Sequence, residues 1–185
     1  RVRGLLSDRG IAHCIDDRRT DGEPDLSGQI PPHRLELFDY QREAVDLAIA
    51  AQTCLIRSTT ASGKTSMGFA IAARLNLPTL VVVYTGNLFE QWVERAQEEL
   101  GIPPGEVGII RGKECRARPF TIAMQQTLAA HPEVVNEHAR TFGLVILDEV
   151  QAAPAATVGA AVDRWQARYR IGISNDERRP DRKEF

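Results

Sequence analysis

Between Arg34 and Ile173 the apolar positions change period repeatedly, and each change predicts an element. Tyr40 to Ala51 carries Ala44, Val45, Leu47 and Ala48 at helical spacing, which lines one face of a helix. Thr53 to Arg57 predicts a short buried strand. Lys64 to Leu75 predicts a helix with Met67, Phe69, Ala70 and Ile71 as its apolar positions. Thr79 to Tyr84 is an almost unbroken apolar run, the pattern of a strand covered on both faces. Asn87 to Leu100 predicts an amphipathic helix stopped at Gly101. Val107 to Ile110, Phe120 to Met124 and Leu144 to Leu147 predict three more strands, Val158 to Trp165 a helix, and Tyr169 to Ile173 a last strand. Strands alternating with helices predict an α/β fold, a mostly parallel sheet with helices on both faces. Ligands of such sheets bind at the carboxyl ends of the strands.

The first 32 residues read differently. Val2, Leu5 and Leu6 have helical spacing before Gly10, and Ile11 to Ile15 predicts a short strand. From Asp16 to Pro32 the chain is charged, rich in Gly and Pro and poor in apolar residues, which predicts a linker or loop. The expected division is an N-terminal segment over 1–32 and an α/β lobe over 33–185. Whether the first segment is a solvated linker or the end of an accessory domain stays open.

Composition narrows the class. The chain has 185 residues, 43% hydrophobic and 26% charged, with a net charge of −2. That suits one domain with a real core, and it excludes a protein held to nucleic acid by bulk positive charge, so any such contact is local. Cys14, Cys54 and Cys115 lack paired spacing and read as reduced thiols of an intracellular, cytoplasmic protein. The four histidines have no metal-ligand spacing. No apolar run is long enough to span a membrane, and no membrane partner is expected.

The chemistry lies in two stretches. Ser58-Thr59-Thr60-Ala61-Ser62-Gly63-Lys64-Thr65 follows an apolar run and opens a helix. A turn of backbone N–H groups at a helix N-terminus meets polyphosphate charge, a lysine reaches the β- and γ-phosphates, and a hydroxyl holds Mg²⁺. Lys64 and Thr65 fit those roles, although Ser58 stands where the general pattern has Gly; a merely polar turn is the alternative. Far downstream, Leu144-Val145-Ile146-Leu147 ends in Asp148-Glu149. There Asp148 would hold Mg²⁺ and Glu149 would polarise an attacking water. The alternative is a solvated strand end. Adjacent carboxylates repel unless a cation compensates, and a water-activating Glu points to hydrolysis, not phosphoryl transfer to a bound acceptor.

These residues resemble the first RecA-like lobe of superfamily 2 helicases and translocases, in particular the XPB-like branch with the type I and III restriction translocases. The resemblance runs from about Leu35 to Phe185. It implies that Gln41, in Phe38-Asp39-Tyr40-Gln41, reads the adenine edge, as a carboxamide can pair bidentately with adenine; the other reading is a surface residue starting a helix. It implies an ATP site at Thr60, Ala61, Ser62, Gly63, Lys64, Thr65 and Ser66, with Ala61 where the family often has Gly. The turn through Thr85 and Gly86 resembles a motif that touches the sugar-phosphate backbone, but Tyr84 and Gly86 replace the usual Pro and Arg, so a basic contact is missing. Trp92 and Leu88 read as helix core. Gln125 and Thr127 lie in a similar backbone-contacting motif. Gln151 stands where motif II often has His, and Ser174, followed by Asn175 and Asp176, occupies the motif that couples nucleotide to nucleic-acid grip.

The resemblance implies an ATP-dependent helicase or translocase using ATP and Mg²⁺, acting on nucleic acid, DNA in preference to RNA. A nucleotide-sensing clamp without productive stepping is the alternative, because the coupling motif is altered. The family's second lobe, with its arginine finger, is expected as a partner in cis or trans. Without it the 185-residue chain is expected to bind ATP but hydrolyse it slowly.

Overall fold

The computed structural model describes residues 17–59, 62–103, 105–149 and 164–175. Seven strands form one sheet: β1 (Thr53–Ser58), β2 (Thr79–Val83), β3 (Gly108–Arg111), β4 (Glu114–Arg116), β5 (Phe120–Met124), β6 (Leu144–Leu147) and β7 (Tyr169–Asn175). Their spatial order is β1-β7-β6-β2-β5-β3-β4. All pairings are parallel except β3 with β4. Among the described residues five α-helices accompany them: α1 (Asp39–Ala51), α2 (Lys64–Leu75), α3 (Gly86–Arg95), α4 (Gln125–Ala130) and α5 (Pro132–Glu137). This is the mostly parallel α/β sheet that the strand–helix alternation predicts.

Alternation along the central strands builds two cores. Side chains of successive strand residues point to opposite faces. Val81 and Val83 of β2 therefore join Phe69 and Ile71 of α2 and Phe89 and Trp92 of α3 on one face. Leu80 and Val82 join Leu128 of α4, Val135 of α5, Phe142 and Trp165 on the other. All five β2 residues are buried, as the continuous apolar run requires.

The structure departs from expectation or adds to it in four places. β1 is an edge strand of alternating exposure, with Leu55 38% exposed, not a buried one; its one neighbour is β7. The helix after Gly86 stops at Arg95 and continues as a π turn over Ala96–Leu100 before Gly101. β4 and the two six-residue helices α4 and α5 were not foreseen, because three to six residues hold too little of either period to register. Finally, the polar stretch before Pro32 is tied to the lobe. Thr20 bridges Ala167 and Gly22 bridges Phe142, both just ahead of β7 and β6. Gly22 has φ +93°, and a Cβ there would sit 2.8 Å from Gly143 N, so only glycine allows the two backbones to meet. Ile30 is buried in the α2 core, and its N–H donates to Asn76 Oδ1 at 2.9 Å. Of the expected N-terminal elements, residues 1–16 lie outside the described residues, as does most of the helix expected over Val158 to Trp165.

The α2 face rests on a trio of rings. Phe69 lies 4.6 Å from Trp92 and 5.5 Å from Phe120, centroid to centroid. Phe69→Ala is expected to cost about 3–5 kcal/mol in urea unfolding. Leu47→Ala, at a site 64% exposed, is expected to stay within about 0.5 kcal/mol of the parent.

Candidate active site

β1 delivers the phosphate loop to the carboxyl edge of the sheet, and Gly63 closes it in the left-handed region (φ 76°) as the residue before α2. A Cβ at Gly63 would lie 2.3 Å from Gln41 Nε2, so both conformation and space demand glycine here. The Gln41 amide Nε2 donates to Ser62 O at 2.9 Å and its Oε1 accepts from Phe38 N at 2.9 Å. Tyr40 OH donates to the same Ser62 carbonyl at 3.0 Å. Gln41 is 95% buried by these contacts (5% exposed). It thus ties the start of α1 to the loop, a structural role beyond the adenine reading. Phe38 and Tyr40 stack beside it, 5.9 Å apart, and both are exposed. The Lys64 ammonium donates to Ser58 O at 2.9 Å and Thr59 O at 2.6 Å. Burial pulls its proton affinity below the usual lysine value, and the carboxylates of Asp148 and Glu149 oppose that.

Gly63, Lys64 and Thr65 line an open cleft of about 350 Å³ with Leu88, Gln91, Arg95, Asp148, Glu149 and Asn175. Both halves of the site predicted from sequence therefore converge. Asp148 continues β6: its N–H donates to Val82 O at 3.0 Å. Its side chain is only 5% exposed, and each oxygen has a donor. Oδ2 accepts from Trp92 Nε1 at 2.7 Å and Oδ1 from Glu149 N at 2.9 Å. Burial pushes the Asp148 carboxyl above the usual carboxylate range, while the Trp92 and Glu149 N–H groups and the charges of Lys64 and Arg95 pull it back. Glu149 sits at φ 50°, a left-handed conformation unfavourable for a side chain with a Cβ and held here by its neighbour's carboxylate.

The residues present fit a Mg²⁺–triphosphate. A hydroxyl (Thr65) and a buried carboxylate (Asp148) share the cleft with an ammonium, and the Ser62 Oγ in the loop is buried without a hydrogen-bond partner among the described residues. Thr60, Ala61 and Gln151 lie outside the described residues. The Ser66 hydroxyl accepts from Arg95 Nη2 at 2.7 Å, so it holds a side chain of α3. Ser174 is buried one position before the cleft residue Asn175, which pairs in register with Ser58. Trp92 is core, as expected, but its N–H makes it part of the site as well. A Trp on an amphipathic helix carries no sign in sequence of where its N–H points.

The carboxyl ends of β2, β3 and β5 form a second surface. Thr85 caps α3, accepting from Leu88 N at 3.3 Å, and is exposed. A side chain at Gly86 would meet Arg111 Nη2 at 3.6 Å. Arg111 reaches there from the β3–β4 hairpin, pairs with Glu90 at 2.5 Å and lies 4.9 Å over the Phe89 ring. Lys113 at the hairpin tip is exposed. Gln125 begins α4, half-buried, and Gln126 Nε2 donates to Tyr84 O at 2.6 Å. Thr127 requires correction: it is 9% exposed and its hydroxyl accepts from Gly112 N at 2.9 Å, so it positions the hairpin and is not turned outward to a strand.

The indole N–H stabilises ionised Asp148, whose raised pKa means that ionisation subtracts stability as pH rises through it. Removing the donor raises that pKa further. Trp92→Phe is expected to destabilise the chain by about 2 kcal/mol at pH 7 beyond any loss of packing. That part of the penalty should vanish once pH falls below the carboxylate range. Urea unfolding at the two pH values measures it.

Comparison with known proteins agrees with this geometry. Over 180 residues the chain is 31% identical to "Probable helicase D10" of Escherichia phage T5, covering 96% of this chain and 37% of that protein. It is 31% identical over 150 residues to "DNA 3'-5' translocase XPB2" of Sulfurisphaera tokodaii, covering 81% and 33%. The chain thus spans about a third of the length of these relatives. The UvsW helicase of bacteriophage T4 superposes with a TM-score of 0.68 at 16% identity, covering 97% of this chain and 70% of that one, which shows a shared fold. The profile of the family described as type III restriction enzyme, res subunit, matches residues 34–175, and the chain belongs to that family.

Proposed function

We propose that this chain is the ATP-binding lobe of an ATP-dependent DNA translocase or helicase, which couples ATP hydrolysis to movement on nucleic acid. The observation that carries the reading is the single cleft shared by Lys64, Thr65, Asp148 and Glu149. Lys64 leaves the Ser58 and Thr59 carbonyls for the β- and γ-phosphates. Thr65 and Asp148 would hold Mg²⁺, which when bound neutralises charge on the phosphate oxygens. Glu149 orients and deprotonates the attacking water. Phe38 and Tyr40, exposed beside Gln41, offer a flat apolar surface to the base.

The names of the relatives, a DNA translocase among them, support DNA as the polymer. So does the similar fold of a structure titled "Sulfolobus solfataricus SWI2/SNF2 ATPase core in complex with dsDNA", at TM-score 0.63 and 15% identity, covering 79% of this chain and 33% of that one. On this reading the strand backbone crosses Thr85, Gly86 and Gln125. Arg111 and Lys113, arriving from the hairpin, supply the cations that Gly86 cannot, and phosphate contacts of this kind position a strand without reading its sequence. A second RecA-like lobe, in cis or trans, completes the motor.

Lys64→Ala is expected to lower Mg·ATP affinity at least about tenfold, since it removes a charged contact worth more than an ordinary hydrogen bond; calorimetric titration measures it. In a protein carrying both lobes, Glu149→Gln should keep ATP binding and cut turnover by about 10²–10⁴-fold. Movement along DNA that survives Lys64→Ala would overturn the motor reading; DNA affinity that survives while movement stops agrees with it. Arg111→Ala should weaken binding to single-stranded DNA of any sequence and lower the slope of log affinity against log salt by about 0.7.

A further inference from the structure

Arg95 ends α3 and lines the cleft together with Gly63, Lys64 and Thr65. Its guanidinium is held from behind. Nη2 donates to Ser66 Oγ at 2.7 Å and pairs with Glu99 Oε1. Glu99 is fully buried, its other oxygen Oε2 lies 2.8 Å from His33 Nε2, and its Oε1 lies 3.4 Å from Ser66 Oγ. The carboxylate stands in the π turn that follows α3, a local irregularity that often re-aims side chains at functional sites. The Glu99 carbonyl accepts from Arg34 N at 2.8 Å, which fixes the turn itself.

Burying a carboxylate costs several kcal/mol, and pairing it with a cation rarely stabilises more than an apolar side chain of the same size would. The network is therefore a poor device for stability and a good one for holding a guanidinium still. The contacts of Arg95 among the described residues fall on Nη2, and the rest of its donor fork is available to the cleft. The position within the cleft is also informative. Gln41 and Tyr40 mark the base end of the loop at Ser62. Arg95 adjoins the opposite end, at Ser66 and beside Asp148 and Glu149, where the terminal phosphate and the attacking water belong.

We propose that Arg95 is a terminal-phosphate sensor supplied by this lobe itself: its guanidinium donates to the γ-phosphate of ATP, and Glu99 with His33 holds it in position. The proposal rests on the ATP-lobe reading above and adds a discrimination to it. A cation fixed at the γ-phosphate favours ATP over ADP before any second lobe closes. Arg95 touches substrate; Glu99, His33 and Ser66 are positioning residues.

The test is binding of ATP and of ADP, each with Mg²⁺, to the 185-residue chain, read by calorimetry at a temperature where hydrolysis is negligible. The unaltered chain should bind ATP more tightly than ADP. Arg95→Ala should lower ATP affinity about tenfold or more, change ADP affinity less than about twofold, and so erase the preference. Glu99→Gln should reduce the preference in the same direction by a smaller factor, and Arg95→Lys should restore part of it. If Arg95→Ala does not fold, Arg95→Gln, which keeps the stem and a donor toward Glu99, is read in the same way. A preference unchanged in a folded Arg95 variant, or equal losses for both nucleotides, overturns the proposal while leaving the lobe's ATP site standing. Failure of the unaltered chain to bind either nucleotide overturns the ATP-lobe reading and this inference with it.

Discussion

A carboxylate kept almost out of water at the tip of a central strand is the constraint on which the rest of this lobe depends. Asp148 is ionisable, 5% exposed and accepts from two N–H donors. One donor, the Trp92 indole, belongs to the ring cluster with Phe69 and Phe120. The other, the Glu149 amide, is delivered by a left-handed backbone turn. Packing of α2 and α3 on the sheet, the conformation of the β6 tip and the acidity of the cleft are therefore one problem. A change in the ring cluster alters the position of the indole, and with it how readily Asp148 carries charge.

Two kinds of element position the chemistry. The parallel strands carry the phosphate loop, Asp148 and Asn175 to the same edge, since register fixes Ser58 opposite Asn175 and Val82 opposite Leu147. The helix after β2 works differently. Along one side it presents Leu88, Gln91 and Arg95 to the cleft, while Phe89 and Trp92 enter the core. Its neighbour surface, reached through Gly86 and the β3–β4 hairpin, bears Arg111 and Lys113. A single helix thus separates the proposed nucleotide site from the proposed strand contacts, and a shift of that helix would be felt on both sides.

The legible parts of the molecule are those in which chemistry is local in the chain. Gly63-Lys64-Thr65 begins a helix whose ends, Lys64 and Leu75, match the periodic reading, because a glycine at positive φ and an apolar period coincide there. Phe120–Met124 and Leu144–Leu147 likewise match, since short apolar runs bounded by polar residues leave little choice of ends. What was not legible is long-range. Trp92 meets Asp148 across 56 residues and His33 meets Glu99 across 66, and neither side chain carries a spacing that announces its partner. The cation facing Gly86 comes from a hairpin whose second strand has three residues. Thr127 misled for a related reason: a hydroxyl in the right motif faces Gly112 instead of solvent, and only the hairpin's place in the sheet determines that.

The strap formed by Thr20 and Gly22 has a directional consequence. Its bridges to Ala167 and Phe142 lie at the pole where β7 and β6 begin, whereas the cleft lies at the pole where they end. The strap therefore meets the lobe a full strand length, roughly 15–20 Å, from the cleft. The strap thus braces the base of the sheet and contributes no wall to the cleft.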